Sequence, residues 1–238
     1  MLDFKNISVH YGHQDVLTNV TFRVNKGDRV GVVGPNGSGK STLFKIVLGE
    51  MSTDTGELVV EGSPRIGWTR QSPEPDSPEE TLLEYSLRGI PGLAEMEAEM
   101  RELESDLSDP QKMRRYGELQ SSFEHLGGYD IETRVKVALG GLGFSTDEFE
   151  RPFRALSGGW RMRAELSRVL ASRPDLLLLD EPCLNLDAAA AGRLRARVAR
   201  YLALHPGCTA ICVAHRPDDV PPGFSRRIDL KNHVKSDM

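Results

Sequence analysis

Residues 29–48 hold the feature that most narrows what this chain can fold into. A β-branched run, Arg29–Val33, meets a glycine-rich loop, Gly34-Pro-Asn-Gly-Ser-Gly-Lys-Ser41, and Leu43, Phe44, Ile46, Val47 and Leu48 then follow in a helical pattern. Strand, loop and helix in that order demand an α/β arrangement, with Gly49 placed to close the helix as a C-terminal cap. The loop fits GxxxxGK[ST], a pattern that a random chain of this length matches on the order of one time in a hundred. Its glycines let the backbone curl so that successive N–H groups face one anion, and the helix N-terminus adds positive potential. Lys40 would reach the β- and γ-phosphates of a nucleotide, and the Ser41 hydroxyl would bind Mg²⁺.

Composition excludes several alternatives. The 238 residues are 39% hydrophobic and 27% charged, which suits a globular core. Apolar runs such as Leu176–Leu179 are far too short to cross a bilayer, and Asp3, Lys5 and Asn6 break any secretory pattern at the start. Cys183, Cys208 and Cys212 show no CxxC spacing and cannot all pair, so a reduced, cytoplasmic setting is expected. The formal net charge of −5 gives no global basic face for nucleic acid, although a local patch stays open.

Along the chain, Phe4–Val9 and Thr21–Val24 alternate as strands with one exposed face, and Glu57–Glu61 and Arg65–Trp68 read as two more around a Gly62-Ser63-Pro64 turn. From Gln71 to about Glu80 the residues turn to Ser, Pro, Glu and Asp, an exposed loop. Leu93, Met96, Met100, Leu103 and Leu107 then recur at helical spacing, predicting a helix roughly 22 Å long. A second helix is expected from about Gln111 to Leu126, with Asp109-Pro110 at the turn of a hairpin. Residues 71–154 therefore read as a helical insertion into the core. Arg161–Ala171 and Ala188–Leu204 are expected helices, and Leu176–Leu179 and Thr209–Ala214 buried parallel strands.

A phosphate cradle needs an acid on the metal side and a group that orients water. Leu176-Leu-Leu-Leu-Asp180-Glu181 supplies both at a strand end: Asp180 would support the Mg²⁺ shell and Glu181 would polarise the attacking water. Alone, the pair fits equally a strand whose exposed end carries acids for solubility. Leu156-Ser-Gly-Gly-Trp160 alone could be a helix start with Ser157 as N-cap.

Taken together, the P-loop, LSGG and LLLLDEP resemble the ATP-binding cassette (ABC) family over Phe4 to about Leu230. The resemblance implies an ABC-type P-loop NTPase in a single nucleotide-binding domain. Its parallel-sheet core (155–238) would join an N-terminal antiparallel β subdomain with the P-loop (1–70) and the helical insertion (71–154). It implies ATP and Mg²⁺ as cofactors and ATP hydrolysis as the activity. Gly34, Asn36, Gly37, Ser38, Gly39, Lys40, Ser41 and Thr42 would bind the phosphates. Tyr11 would stack on adenine, and Gln71 would contact Mg²⁺ and sense the γ-phosphate. His215, after the strand Thr209–Ala214, matches the switch histidine, and Asn185-Leu186-Asp187 matches the D-loop. Ser157, Gly158 and Gly159 would bind the γ-phosphate held by a second cassette, which implies an ATP-dependent head-to-tail homodimer.

Trp160-Arg161-Met162-Arg163 and Gly127-Gly128-Tyr129 are similar to the F subfamily, whose members lack transmembrane partners and mostly act on ribosomes. The chain departs from that pattern in carrying one cassette without a charged linker, in Cys183-Leu184 and in Pro217–Gly223. The expected partner machine is a ribosome or a membrane transporter subunit, with location at a membrane periphery only in the second case. A dimerisation module with little turnover is the third reading. The Glu-rich stretch 95–109 would repel RNA phosphates, although a solvated helix face above a small apolar seam is the preferred reading of it.

Overall fold

The computed structural model describes residues 1–12, 14–106, 108–184 and 186–230. They form two compact units, Met1–Pro73 with Arg173–Met238, and Glu74–Ser172.

The first unit contains two sheets. Strand β1 (Leu2–Tyr11) lies between β2 (Gln14–Val24) and β4 (Thr55–Val60), all antiparallel. The second sheet is wholly parallel, ordered β5-β6-β7-β3-β8, from Ile66–Thr69, Leu176–Asp180, Thr209–Ala214, Arg29–Val33 and Arg226–Asp229. β6 and β7 are buried at every residue, as expected of central parallel strands covered on both faces. The two strands read around Gly62-Ser63-Pro64 do not pair: β4 joins the antiparallel sheet and β5 the parallel one. Both sheets feed one core, in which Phe4 stacks on Phe22 and Leu43, Phe44, Ile211 and Val213 are buried. Each such side chain contributes about 1.5–3 kcal/mol by leaving water. Helix α1 (Lys40–Val47) buries Leu43, Phe44, Ile46 and Val47, and Gly49 follows it at φ 73.

The second unit is helical: α2 (Leu82–Leu87), α3 (Leu93–Leu103), α4 (Pro110–His125), α5 (Ile131–Gly141) and α6 (Gly158–Ala171). It extends to Ser172, beyond the expected insertion limit of 154, because α6 packs on α2 and α5 around Tyr85, Leu139, Phe153 and Ala164. α3 is 11 residues long rather than the expected 15, since Glu104–Asp106 tightens into a 3₁₀ turn; Leu107 lies outside the described residues. Asp109 caps α4, its Oδ1 accepting the Gln111 N–H at 2.8 Å, with Pro110 in the first turn. The acidic face of α3 is partly neutralised within the hairpin: Arg115 donates to Glu99 at 2.7 and 3.0 Å, and Arg101 pairs with Glu97. Inside this unit Glu165, fully buried, accepts from Tyr85 and pairs with Arg168 through bonds of 2.7 and 2.8 Å.

In the first unit, α7 (Ala188–Leu204) buries Ala190, Leu194, Val198 and Leu202, with Asp187 as its N-cap.

Candidate functional site

β3 delivers the glycine-rich loop to the C-terminal end of the parallel sheet, where open α/β folds place their ligands. The Gly34 N–H continues the ladder by donating to Ala214 O at 3.3 Å. Gly39 caps α1 at φ 87 and offers no side chain to the helix amides, and the first turn carries no acid. The N-terminus of α1 is thereby left free of side-chain caps, which suits an anion. Glycine is required at 39 for a second reason. A Cβ there would lie 2.4 Å from Leu17 Cδ2 and 2.9 Å from Val16 O, so β2 presses directly on the loop.

Lys40 is buried, and its Nζ donates to Gly34 O and Pro35 O, each at 2.9 Å. Its third partner is Glu181 Oε1 at 3.1 Å. The buried Ser38 Oγ has no partner among the described residues, and a Cβ at Gly34 would sit 2.4 Å from it. The loop is thus tightened around an ammonium that is already satisfied by oxygens.

The buried strand β6 ends by placing Asp180 and Glu181 beside this loop. Asp180 is 4% exposed; its Oδ1 accepts from Gln71 Nε2 at 3.2 Å and its N–H donates to Thr69 Oγ1 at 3.1 Å. Burial, the largest influence, pushes its carboxyl up to about 6; the Gln71 bond and the Lys40 charge oppose this, and the Glu181 charge adds to it. Glu181 takes a left-handed backbone at φ 46, with its N–H donating to Val213 O.

Lys40, Gln71 and Glu181 line one cleft of about 490 Å³. Asn36, Gly37, Gly39, Lys40, Ser41 and Thr42 form one end, Tyr11, Gln14 and Val16 also face the space, and Gln71, Glu181 and Leu184 complete the wall. Gly34 and Ser38 support the loop from within, and Asp180 stands behind Gln71. Tyr11 keeps its ring half exposed while its hydroxyl donates to Met51 Sδ at 3.4 Å. His215 follows β7 and lines a neighbouring cavity of about 220 Å³ with Arg216, Cys183 and Asp219; Glu181 and Leu184 border both spaces. Burial pushes the Cys183 thiol up to about 11, helped by Asp219 and opposed by Arg195. Asn185 lies outside the described residues.

Ser157, Gly158 and Gly159 belong to the other unit, at the start of α6. Ser157 has the extended backbone of an N-cap, but its hydroxyl makes no capping bond. Arg161 instead ties this turn down, donating to Leu156 O at 3.0 Å and Arg154 O at 2.7 Å. A Cβ at Gly158 would meet nothing within 4 Å.

Sequence reasoning passed over Gln14, Val16 and Leu184 as lining residues and Thr69 as support for Asp180. The only signal for Gln14 is its place across a short turn from Tyr11. Chemically the cleft fits a nucleoside triphosphate with a hard divalent ion. A buried lysine and free helix amides suit phosphates, and Ser41, Gln71 and Asp180 are oxygen donors of the kind that Mg²⁺ accepts.

Comparison with known proteins gives a consistent picture. The family model described as ABC transporter matches residues 17–184. Probable ATP-binding protein YheS of Escherichia coli (strain K12) is 35% identical over 234 residues, which is 97% of this chain and 34% of that protein. Tylosin resistance ATP-binding protein TlrC of Streptomyces fradiae is 33% identical over 221 residues, 90% of this chain and 39% of its own. The chain therefore spans about a third of the length of these curated relatives. Among solved structures, the dimeric post-hydrolysis state of the ATP-binding cassette MJ0796, bound to ADP and Pi, superimposes with a TM-score of 0.70. It covers 99% of this chain and 97% of that one at 22% identity, so the likeness is one of fold.

Proposed function

Because the chain belongs to the ABC transporter family, we propose that it binds and hydrolyses ATP at two composite sites of a head-to-tail dimer of itself. The observation that carries the reading is the single cleft in which Lys40, Ser41, Gln71 and Glu181 meet, with Tyr11 facing the same space. Lys40 and the amides of residues 34–42 hold the phosphates, and Tyr11 stacks on the base. Ser41, Gln71 and Asp180 would hold Mg²⁺, which would supply neutralisation of phosphate charge. Glu181 orients and polarises the attacking water once Lys40 has exchanged its carboxylate for phosphate. His215 contacts the γ-phosphate from the adjoining cavity, and Ser157, Gly158 and Gly159 of a second copy close over it.

The coupled partner in this reading is a machine without membrane segments, such as the ribosome. Its support is the likeness of Trp160-Arg161-Met162-Arg163 and Gly127-Gly128-Tyr129 to the F subfamily. No helix of the described residues is long and apolar enough to cross a membrane. Glu181→Gln should keep ATP binding, lose turnover and accumulate as a dimer in Mg-ATP. A monomer by analytical ultracentrifugation under those conditions would sink the composite-site reading. Co-sedimentation of the trapped protein with ribosomes supports the F-like role, and co-purification with a membrane protein would replace it with that of a transporter subunit.

A further inference from the structure

We propose that Gln14 reads the N6/N7 edge of the base and makes the cleft selective for ATP over GTP; this rests on the nucleotide reading above and adds the specificity of that site. Tyr11 and Gln14 are directly opposed in the β1–β2 ladder. Opposed residues of an antiparallel pair project to the same face with Cβ atoms about 5 Å apart. A base stacked on the Tyr11 ring therefore has the Gln14 side chain beside its edge. Val16, the extra residue where β2 bulges between Asp15 and Leu17, lines the same cleft.

The position of this face relative to the phosphates is set by backbone packing. Val16 O and Leu17 abut Gly39 of the loop, so β2 and the phosphate cradle are held in register with each other. Among the described residues at this end of the cleft, little else can read the base. Val16 is apolar, and the Tyr11 hydroxyl is engaged by Met51. The Gln14 amide is exposed and makes no hydrogen bond among the described residues. It offers two donors on nitrogen and an acceptor on oxygen.

Those groups discriminate between purines. Adenine presents an N6 amino donor beside the N7 acceptor, which one primary amide satisfies with two bonds. Guanine presents O6 and N7, both acceptors, so the Gln14 oxygen would face O6 without a proton between them. A hydrogen-bonding site rejects the ligand that leaves its polar groups unpaired more strongly than an apolar pocket rejects a change of size. Partial exposure to solvent puts the expected preference at about tenfold, the low end for such a pair.

Titration calorimetry with Mg-ATP, Mg-GTP and Mg-7-deaza-ATP, which lacks the N7 acceptor, tests this. The native chain should bind ATP about tenfold more tightly than GTP and about fivefold more tightly than the deaza analogue. Gln14→Ala, an exposed position whose loss leaves the core intact, should compress both ratios to within about twofold. Ratios unaltered by the substitution, or a native chain indifferent to the base, would overturn the role of Gln14 while leaving nucleotide binding in place. Binding of none of the three, or affinities unaffected by Lys40→Ala, would overturn the nucleotide reading itself.

Discussion

Asp180 should make the nucleotide-free protein less stable than it could be, and Asp180→Asn should recover that stability in a pH-dependent way. The carboxyl is held at about 6 in the fold, against the ordinary 3.8, chiefly by burial. The unfolded chain therefore releases this proton first, and folded stability falls as pH rises from 3.8 through 6. Above 6 the penalty is complete, and at 1.36 kcal/mol per tenfold change it amounts to about 3 kcal/mol. At pH 4.5 most of it is absent and about 1 kcal/mol remains. Asparagine keeps an oxygen to accept the Gln71 amide and never ionises. For a chain of this size the gain should raise Tm by about 6–10 °C at pH 7.5 and by only a few degrees at pH 4.5. Scanning calorimetry of both proteins without nucleotide or metal is the assay. An equal gain at the two pH values, or a loss at pH 7.5, would refute the reasoning.

Two further outcomes follow from packing. Gly39→Ala must place its Cβ against Leu17 Cδ2 and Val16 O while holding φ 87, so nucleotide affinity should drop at least tenfold with a loss of about 2 kcal/mol in stability. Equilibrium binding and urea unfolding read the two effects, and native affinity would mean that β2 does not set the loop. In the helical unit, Glu165→Ala removes both carboxylate bonds to the largely buried Arg168 guanidinium and should cost about 3–5 kcal/mol, measured by urea unfolding.

The sequence is most legible where local pattern and long-range packing ask for the same thing. The run Arg29–Val33 with its loop and helix, the helix Ala188–Leu204 and the strand Thr209–Ala214 appear with the limits their periodicity indicates. Their borders carry strong signals, such as Asp187 capping α7 through a 2.8 Å bond to the Ala190 N–H. α2 spans six residues among Ser, Pro and Gly, and α5, although 11 residues long, is bounded by the glycine pairs 127–128 and 140–141, which read as breaks. Pairing across sheets is a different matter. Nothing in the six residues of β4 or the four of β5 says which sheet each joins, since the partners lie within Leu2–Ser8 in one case and Leu176–Leu179 in the other. The same holds at the cleft. Lys40 and Glu181 are individually conspicuous, but their 3.1 Å contact joins positions 141 residues apart. Gln14 reads as an ordinary polar residue at a turn until its pairing with Tyr11 is known.

The backbone of Glu181 carries one more consequence. At φ 46 an L-residue sits in a region that glycine or asparagine occupies with less strain. Its carboxylate is also drawn into a nearly dry contact with Lys40 rather than left in water. The main chain at that corner thus carries a carboxylate against its own conformational preference, at the one point where that carboxylate can meet the loop lysine.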